Sequence, residues 1–550
     1  MNTQLLNLLL LLVFAHLSSL LLPVYAKVFL SIDCGSLSLI PRTDNHSIVW
    51  VGDGPYIQTG ESHKVNVPAD IPGFDSNVLN TLRAFPSRKK NCYSIDIDNK
   101  AENNTRFLVR ASFYYGNYDN KSSPPTFYLQ FNGNTWSEVA THMDFVDVNE
   151  VVFSLKKGNN INVCLAQSQP DNIPFMSSLE VRSLDSDAYN YISSDYPLYF
   201  PLRVAYGTNK TIRYPDDSFD RIWVSVGPLN STSPTMRVRS SSPSINVNIE
   251  DKPPEAIFKT ALTKSNSSED LAYRSKSNLE VPFHFNAYFS EVIKLNSTQK
   301  RSFDIIVNNE RDNSIILPKN PVIPPYGRAL EVHIHNVTTF NSSFSIDFRR
   351  TDDSTLPSLI NALEWFIVGH KLVQGTNSDD VKALGLLQKS FVQLQDSNGD
   401  PCLPSPYTWE WVECNSDPDS PRIIALNLND FGLTGILPDF SAMDALININ
   451  LSNNNLTQEI PEFLGTFPEL TELNLADNNF FGTVPSSISN NVNLMFTATG
   501  NPDLLCTPTS ICNTVTEPRI IPSPVDKGRS SKTFAQPIII LLIMFSGLLL

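Results

Sequence analysis

Few residues of this chain combine the types and the spacing that chemistry requires. His333 and His335 alternate along one predicted strand and could form a metal-ligand pair, but the sequence supplies no third ligand. We therefore expect both to be surface residues, and we expect no metal or cofactor. The sequence contains no Gly-x-Ser-x-Gly elbow and no His-Glu-x-x-His helix. Carboxylates are plentiful, but most lie in polar loops where solvation is the default, so we expect no enzyme.

Composition and glycosylation signals predict an exported, acidic protein. The net charge is −15 over 550 residues, which disfavours nucleic acid and anionic membrane surfaces as partners. The Asn-x-Ser/Thr acceptor pattern for N-glycosylation occurs at Asn45, Asn103, Asn120, Asn209, Asn230, Asn266, Asn296, Asn336, Asn341, Asn450 and Asn455. So many acceptor sites behind an apolar leader predict a glycosylated extracellular surface.

Both ends of the chain are apolar, and each predicts a different sorting signal. Residues 1–26 hold a Leu-rich run that closes on small residues, which is typical of a secretory signal peptide. Residues 513–532 are polar and Pro-rich and predict a stalk. Residues 533–550 form an apolar tail with two open interpretations, a glycolipid-anchor (GPI) signal or a short single-pass transmembrane helix. Either would hold the protein at the extracellular face of the plasma membrane.

A sequence repeat with a period of about 23 to 24 residues occupies residues 422–504. Its strand-like triplets begin at Leu426, Ile449 and Leu473, and an asparagine follows at a fixed offset at Asn454, Asn478 and Asn501. The two apolar residues of each triplet point into a common core, and the Asn amide can bind backbone groups of the following turn. One copy cannot bury its own face, so the copies must stack as a leucine-rich-repeat solenoid.

Cysteines bracket this solenoid. Cys402 and Cys414 precede the repeats, and Cys506 and Cys512 follow them. We expect a disulfide loop at each end, because a solenoid needs caps over its apolar ends and secretion permits oxidation. Three further cysteines, an odd number, are Cys34, Cys92 and Cys164. One of these is expected to be unpaired, and the sequence leaves open which.

Ahead of the repeats, short runs rich in Val, Ile, Phe and Tyr alternate with turn residues and predict β-sandwiches. The predicted divisions are a first unit at 27–195, a second unit at 196–352, a helical linker with the repeat cap at 353–415, and the repeats with a C-terminal cap at 416–512. Helix-like spacing over residues 356–394 is set by Leu359, Leu363, Phe366, Ile367 and Leu387. The predicted fold is therefore mainly β, with two tandem sandwich units, a short helical segment and a small solenoid.

Ordered motifs make residues 27–350 resemble the plant malectin-like domain. They are Ile32-Asp-Cys-Gly35, Trp50-x-x-Asp53-x-x-Tyr56-Ile57, Arg83-x-Phe85-Pro86, Leu108 to Asp119, Leu179-Glu-Val-Arg182 and Arg213-Tyr-Pro-Asp-Asp-x-x-Asp-Arg-Ile-Trp223. Gly399-Asp-Pro-Cys402, with Trp409 and Trp411, is similar to the motif that joins such a region to leucine-rich repeats. The chain thus resembles the ectodomain of a plant malectin-like, leucine-rich-repeat receptor.

The resemblance implies two kinds of ligand. Malectin itself binds a short saccharide on aromatic faces, and the candidate residues here are Tyr56, Tyr114, Tyr115 and Tyr118. The alternative for the last three is sheet packing, since aromatic residues are common in strands. Related plant ectodomains bind secreted peptides or partner proteins in the cleft between the two units.

Together these patterns predict a non-catalytic, cell-surface receptor-like protein that binds a cell-wall saccharide or a peptide. The sequence contains no Gly-rich phosphate loop and no His-Arg-Asp triplet. We therefore expect signalling through a separate receptor kinase, whose ectodomain would serve as co-receptor. The alternative is a carbohydrate-binding protein of the cell wall or a leucine-rich-repeat inhibitor of a wall-degrading enzyme.

Overall fold

The computed structural model describes residues 28–505, with interior gaps at 69–70, 72, 98–104, 157–158, 229–233, 266–268, 277–281, 309–314, 317, 319 and 339–342. The predicted signal peptide, Cys506, Cys512, the stalk and the apolar tail lie outside the described residues. Within the described part, no helix is both long enough and apolar enough to cross a membrane.

Unit 1 is built from thirteen strands rich in β-branched and aromatic residues. They are β1 (Phe29–Asp33), β2 (Arg42–Thr43), β3 (Val49–Gly52), β4 (Glu61–Lys64), β5 (Thr81–Ala84), β6 (Lys90–Asp96), β7 (Arg106–Phe113), β8 (Thr126–Phe131), β9 (Asn134–Ala140), β10 (Asp147–Ser154), β11 (Asn160–Gln167), β12 (Phe175–Met176) and β13 (Ser178–Ser183). The largest sheet of the unit has the order β2-β3-β1-β13-β7-β10. Two smaller sheets, in the orders β6-β11-β8-β9 and β12-β5-β4, pack over one of its faces and enclose the core of the unit.

Unit 2 follows the same plan. Its strands are β14 (Leu198–Tyr206), β15 (Val224–Val226), β16 (Thr235–Arg239), β17 (Thr260–Lys264), β18 (Leu271–Lys276), β19 (Pro282–Phe289), β20 (Phe303–Asn308), β21 (Ile315–Ile316), β22 (Leu330–Thr338), β23 (Ser343–Arg350), β24 (Leu359–Ile360) and β25 (Ala362–Val368). A short 3-10 turn spans Glu255–Phe258. Smaller sheets in the orders β18-β23-β20-β21 and β16-β17-β24 complete the unit.

The two units share one sheet, a feature that the sequence pattern did not predict. Its strand order is β2-β3-β1-β13-β7-β10-β14-β25-β19-β22, with β15 beside β14. The junction is the antiparallel pair β10 and β14, in which Val151 lies opposite Tyr199 and Val152 opposite Leu198. The mainly β prediction with tandem sandwich units is confirmed, and the units are continuous rather than separate.

The helical prediction was wrong for residues 359–368. These residues form β24 and β25, and both faces of β25 are largely buried, with Leu363 in the sandwich core and Phe366 on the opposite face. A strand buried on both faces has a continuous apolar run, which helix-like spacing can mimic. Helix α1 begins only at Ser378 and ends at Ser390, with the Asn377 side chain accepting hydrogen bonds from its first amides.

The solenoid has the predicted stacked strands. They are β26 (Val412–Cys414), β27 (Ile423–Asn427), β28 (Thr434–Gly435), β29 (Asn448–Asn450), β30 (Asn455–Leu456), β31 (Glu472–Asn474), β32 (Phe481–Thr483), β33 (Met495–Thr497) and β34 (Asp503–Leu505). Short helical turns span Val392–Leu394, Glu462–Gly465 and α2 (Ser486–Ser489). Strands β27, β29, β31 and β33 pair in parallel, one from each repeat.

The repeat asparagines bind the backbone as the sequence predicted. The Asn478 amide donates to the carbonyls of Leu451, Leu475 and Ala476, and its oxygen accepts from the Leu456 N–H. Asn454 and Asn501 make equivalent bonds one repeat before and after. Each amide side chain therefore satisfies backbone groups of its own repeat and of the preceding repeat.

Two disulfides lie within the described residues. Cys402–Cys414 closes the N-terminal cap, as predicted. Cys92–Cys164 joins β6 to β11 in unit 1 and settles the pairing that the sequence left open. Cys34 is the free, buried cysteine of the described part.

Candidate functional site

The predicted ligand tyrosines pack inside unit 1. Tyr115 is fully buried, and its ring meets those of Tyr118 and Phe175 at centroid distances of 5.6 and 6.2 Å. Tyr114 is buried too, and its hydroxyl donates to the Asn66 carbonyl. Tyr56 and Tyr118 are half-buried against the same core. This arrangement is the packing alternative, and saccharide binding by these four residues stays a prediction.

A row of buried charges crosses the shared sheet, on the face opposite the sandwich cores. Arg110 lies beside Glu150 and Glu180, with shortest N–O distances of 2.8 and 3.2 Å. Arg203 bridges Glu150 and Glu364 at 2.9 and 2.5 Å. Neighbouring arginines hold the pKa of Glu150 and Glu364 below the usual range despite burial, which alone would raise it. This charge row carries ionic contacts from unit 1 into unit 2.

The motif at residues 213–223 covers the charge row. Asp220 accepts hydrogen bonds from Arg182 and Arg213 at 2.7 and 2.8 Å. Asp217 accepts from Arg221 and from the indole N–H of Trp223, both at 2.9 Å. Four charged members of the motif, Arg213, Asp217, Asp220 and Arg221, thus neutralise buried groups, whereas Asp216 is exposed. Residues 213–216 also line the opening between the two units that is described below.

The repeat cap docks on unit 1, although unit 2 precedes it in the chain. The Lys90 ammonium donates to the carbonyls of Asp400 and Leu403 at 2.7 and 3.3 Å. Burial lowers the pKa of Lys90 to about 8. Gly399, with φ of +77°, lies directly over the Cys92–Cys164 disulfide, and a Cβ there would come within 2.6 Å of the Cys92 sulfur. Only glycine fits this contact.

Between unit 1 and the cap lies a cavity of about 450 Å³, here called the groove. Its apolar lining includes the exposed Val381 and the almost fully buried Phe153 and Leu372. One wall comes from the β8–β9 turn and the start of β11, and the other from residues 373–376, α1 and residues 399–401. Asn134 ties the walls together, because its side-chain oxygen accepts from the Val373 N–H at 3.1 Å. A ligand in the groove would touch both modules.

Primary amides dominate the polar lining of the groove. The side chains of Asn159, Asn160, Asn162 and Gln374 make no hydrogen bond with any residue that the structure describes. Lys156 and Lys382 also line it, but each is paired, with Asp195 and Asp379 respectively. The groove therefore offers unpaired amide donors and acceptors without excess charge.

A second opening, of about 620 Å³, lies between the two units. Its lining includes Asn45 of unit 1 and Asn209 of unit 2, both exposed and both glycosylation acceptors by sequence. None of the acceptor asparagines that the structure describes lines the groove. Of the other acceptors, Asn120, Asn296 and Asn455 are exposed and Asn450 is half-buried. Asn336 lies in β22, and Asn103, Asn230, Asn266 and Asn341 fall outside the described residues.

One cluster of possible metal ligands occurs within the described residues. Asp251, Glu331 and His333 place ligand atoms within 4.8 Å of one another at the edge of the shared sheet. His335, the other half of the predicted pair, is exposed and stacks instead on His284. Sequence reasoning missed Asp251 and Glu331, because nothing in the spacing links Asp251 to β22.

Comparison with known protein families identifies the class to which this chain belongs. The profile of the malectin-like domain matches residues 32–368, and that of the leucine-rich repeat matches residues 445–467 and 469–491. The chain belongs to the malectin-like domain family. Its match extends through β25, in agreement with the strand that replaces the predicted helix.

Individual relatives match large parts of the chain. The chain is 33% identical over 419 residues to the Probable LRR receptor-like serine/threonine-protein kinase At1g05700 of Arabidopsis thaliana, covering 74% of this chain and 46% of that protein. It is also 33% identical over 358 residues to the Uncharacterized protein At1g24485 of the same plant, covering 64% of this chain and 66% of that protein. It therefore spans about half the length of most of the curated relatives it matches.

A solved structure shows the same fold. The extracellular domain of ANXUR1 from Arabidopsis thaliana superposes with a TM-score of 0.51 at 17% identity, covering 62% of this chain and 97% of that one. The tandem malectin-like architecture is thus an established fold, and the docked cap and solenoid extend it here.

Proposed function

We propose that this protein is a non-catalytic, receptor-like protein of the extracellular face of the plasma membrane, and that it binds a secreted peptide in the groove. The observation that carries the proposal is the groove itself, with its unpaired amides at the contact of unit 1 with the cap. The relatives named as receptor-like kinases support an extracellular role.

A peptide suits the groove better than a sugar. A primary amide donates and accepts at once, as does each peptide unit, so Asn160, Asn162 and Gln374 can pair with an extended backbone. Sugar rings need an exposed aromatic face, and the aromatic residue of the lining, Phe153, is 1% exposed. The balanced charges favour a ligand with little net charge.

Selection from a displayed library of random twelve-residue peptides on the immobilised, glycosylated full chain tests this proposal. We expect selected peptides to lose at least tenfold in affinity for a double variant, Asn160→Arg with Gln374→Arg, which fills the groove. Asn190→Arg, at an exposed asparagine away from the groove, should bind normally. Peptides that bind the double variant equally well would place the ligand elsewhere, and binding to a glycan array alone would favour the carbohydrate-binding alternative.

Signalling is the second element of the proposal. We expect a separate receptor kinase to provide it, with its ectodomain as co-receptor. Affinity capture of the tagged full chain from plant membranes should recover a kinase-bearing protein, and more of it in the presence of a selected peptide. Recovery that does not change with peptide would contradict ligand-controlled association.

A further inference from the structure

The cluster of Asp251, Glu331 and His333 has the layout of a cation site. Glu331 and His333 project from the same face of the edge strand β22, opposite Tyr288 and Asn286 of β19. Asp251 reaches them from the loop that precedes the turn at Glu255–Phe258. Glu331 and His333 are half-buried, so a bound ion would keep contact with water on one side. An open side of this kind lets water complete the coordination of an ion.

The two carboxyl groups lack a counter-charge. Within the described part of the chain, no ion pair joins Asp251 or Glu331 to an arginine or lysine side chain. Arg221, which lies nearby, instead donates to the backbone carbonyls of Asp251 and Lys252 at 2.9 Å each. The Glu331 Oε1 atom is buried and accepts no hydrogen bond.

Neighbouring groups orient the possible ligands. The Asp251 carboxylate accepts from the Tyr189 N–H at 2.7 Å and from the Asn286 amide at 2.8 Å. The Asn286 oxygen lies 3.0 Å from the Nδ1 atom of His333. This amide orientation makes Nδ1 the protonated nitrogen and leaves a lone pair on Nε2, as in histidines that bind metals. Glu250, which is exposed, places a third carboxylate 3.7 Å from that Nε2 atom.

We propose that Asp251, Glu331 and His333 bind one divalent cation, Zn²⁺ or Mn²⁺, at the edge of the shared sheet. Carboxylate oxygens with one imidazole suit these ions, whereas a purely oxygen set would favour Ca²⁺. The ion supplies the positive charge that the carboxyl pair lacks, and water completes its coordination. The site lies in unit 2 and is independent of the peptide groove.

Isothermal titration of the full chain with ZnCl₂ and with MnCl₂ tests this site. We expect one ion per chain, with at least a tenfold loss of affinity in Glu331→Gln and in His333→Gln. His335→Gln is the matched control, because His335 lies two residues along the same strand but outside the cluster, and it should bind as the parent chain does. Titrations in buffers of different ionisation enthalpy should also show proton release on binding.

Thermal melting provides a second readout. The ion should raise the melting temperature of the parent chain and of His335→Gln, but not of His333→Gln. If Glu331→Gln fails to fold, the half-buried His333→Gln variant still decides the question. Equal binding by all three variants, or binding lost equally in His335→Gln, would show adventitious binding to surface histidines and overturn the proposal. The absence of any binding heat for either ion would overturn it as well.

Discussion

The double sandwich and the solenoid both align strands side by side, yet they satisfy buried polar groups in opposite ways. In the sandwich, Arg203 binds Glu364 across a sequence separation of 161 residues. In the solenoid, Asn478 binds no backbone group more than 27 residues away. The charge row is therefore one long-range structure that forms only when both units are in place, whereas the solenoid repeats a local solution. We expect a broken contact to act globally in the first region and locally in the second.

Breaking the charge row tests this contrast most strongly. Arg203→Ala leaves Glu150 and Glu364 buried beside a missing partner, and we expect a loss of about 3–5 kcal/mol in the free energy of unfolding. Guanidinium unfolding followed by tryptophan fluorescence measures it. Lys300→Ala, which removes an exposed pair with Asp353, is the control and should leave the midpoint unchanged. Equal effects of the two variants would show that the row does not hold the units together.

The next largest loss of stability is expected at the contact between the cap of the solenoid and unit 1. Gly399→Ala would place a methyl group too close to the disulfide sulfurs, and it would put alanine in a left-handed backbone conformation. We expect a loss of about 2–3 kcal/mol in the free energy of unfolding. Gly432→Ala is the matched control, because its φ of +66° carries the same strain but no atom lies within 4 Å of the added Cβ. Faster hydrogen exchange in residues 399–407 of the first variant alone would locate the loss in the docking contact.

A local effect is expected within the solenoid. Asn478→Ala removes an amide that satisfies four backbone groups, and we expect a loss of about 2 kcal/mol confined to the repeats. Hydrogen exchange should rise around residues 451–480 and stay unchanged in the sandwich units. Asn493→Ala, at an exposed position, is the control. Exchange that rises throughout units 1 and 2 would contradict local behaviour.

The last prediction concerns the pH dependence of docking. Burial lowers the pKa of Lys90 from 10.5 to about 8, so between these values the folded protein binds fewer protons than the unfolded chain. Stability should therefore rise with pH across that window. Lys90→Met removes the titrating group, so the difference in unfolding free energy between parent and variant should change with pH. A difference that stays constant from pH 7 to 10 would rule out this linkage.

The sequence predicted features whose determinants are local. Asn454 and Asn478 could be identified because their position recurs in each repeat, and Cys402 could be paired with Cys414 because both lie just before the first repeat. The helix Ser378–Ser390 lies within the predicted helical span 356–394. Residues 362–368 were misassigned because this strand is buried on both faces and lacks the alternation that marks a half-exposed strand.

Contacts between residues that are far apart in the chain could not be predicted from local sequence patterns. Lys90 and the Asp400 carbonyl are separated by 310 residues, so the docking of the cap on unit 1 could not be predicted. The same holds for the charge row and for the meeting of Asp251 with His333. Asp251 approaches Glu331 and His333 from a different loop, so the residue spacing around His333 could not indicate that the three side chains meet.

The cap follows unit 2 in the chain but docks on unit 1, and this arrangement affects how the molecule would carry mechanical load. The chain leaves unit 2 at Val368 and then anchors on unit 1 through Lys90 and the contact over the Cys92–Cys164 disulfide. A pull applied at the end of the solenoid therefore enters unit 1 through a disulfide-braced strand pair before it reaches the last strand of unit 2. Leu372 in the core of unit 1 and the Val373 N–H bond to Asn134 hold the intervening segment on unit 1 as well, so we expect a pull on the solenoid to load unit 1 before it loads the last strand of unit 2.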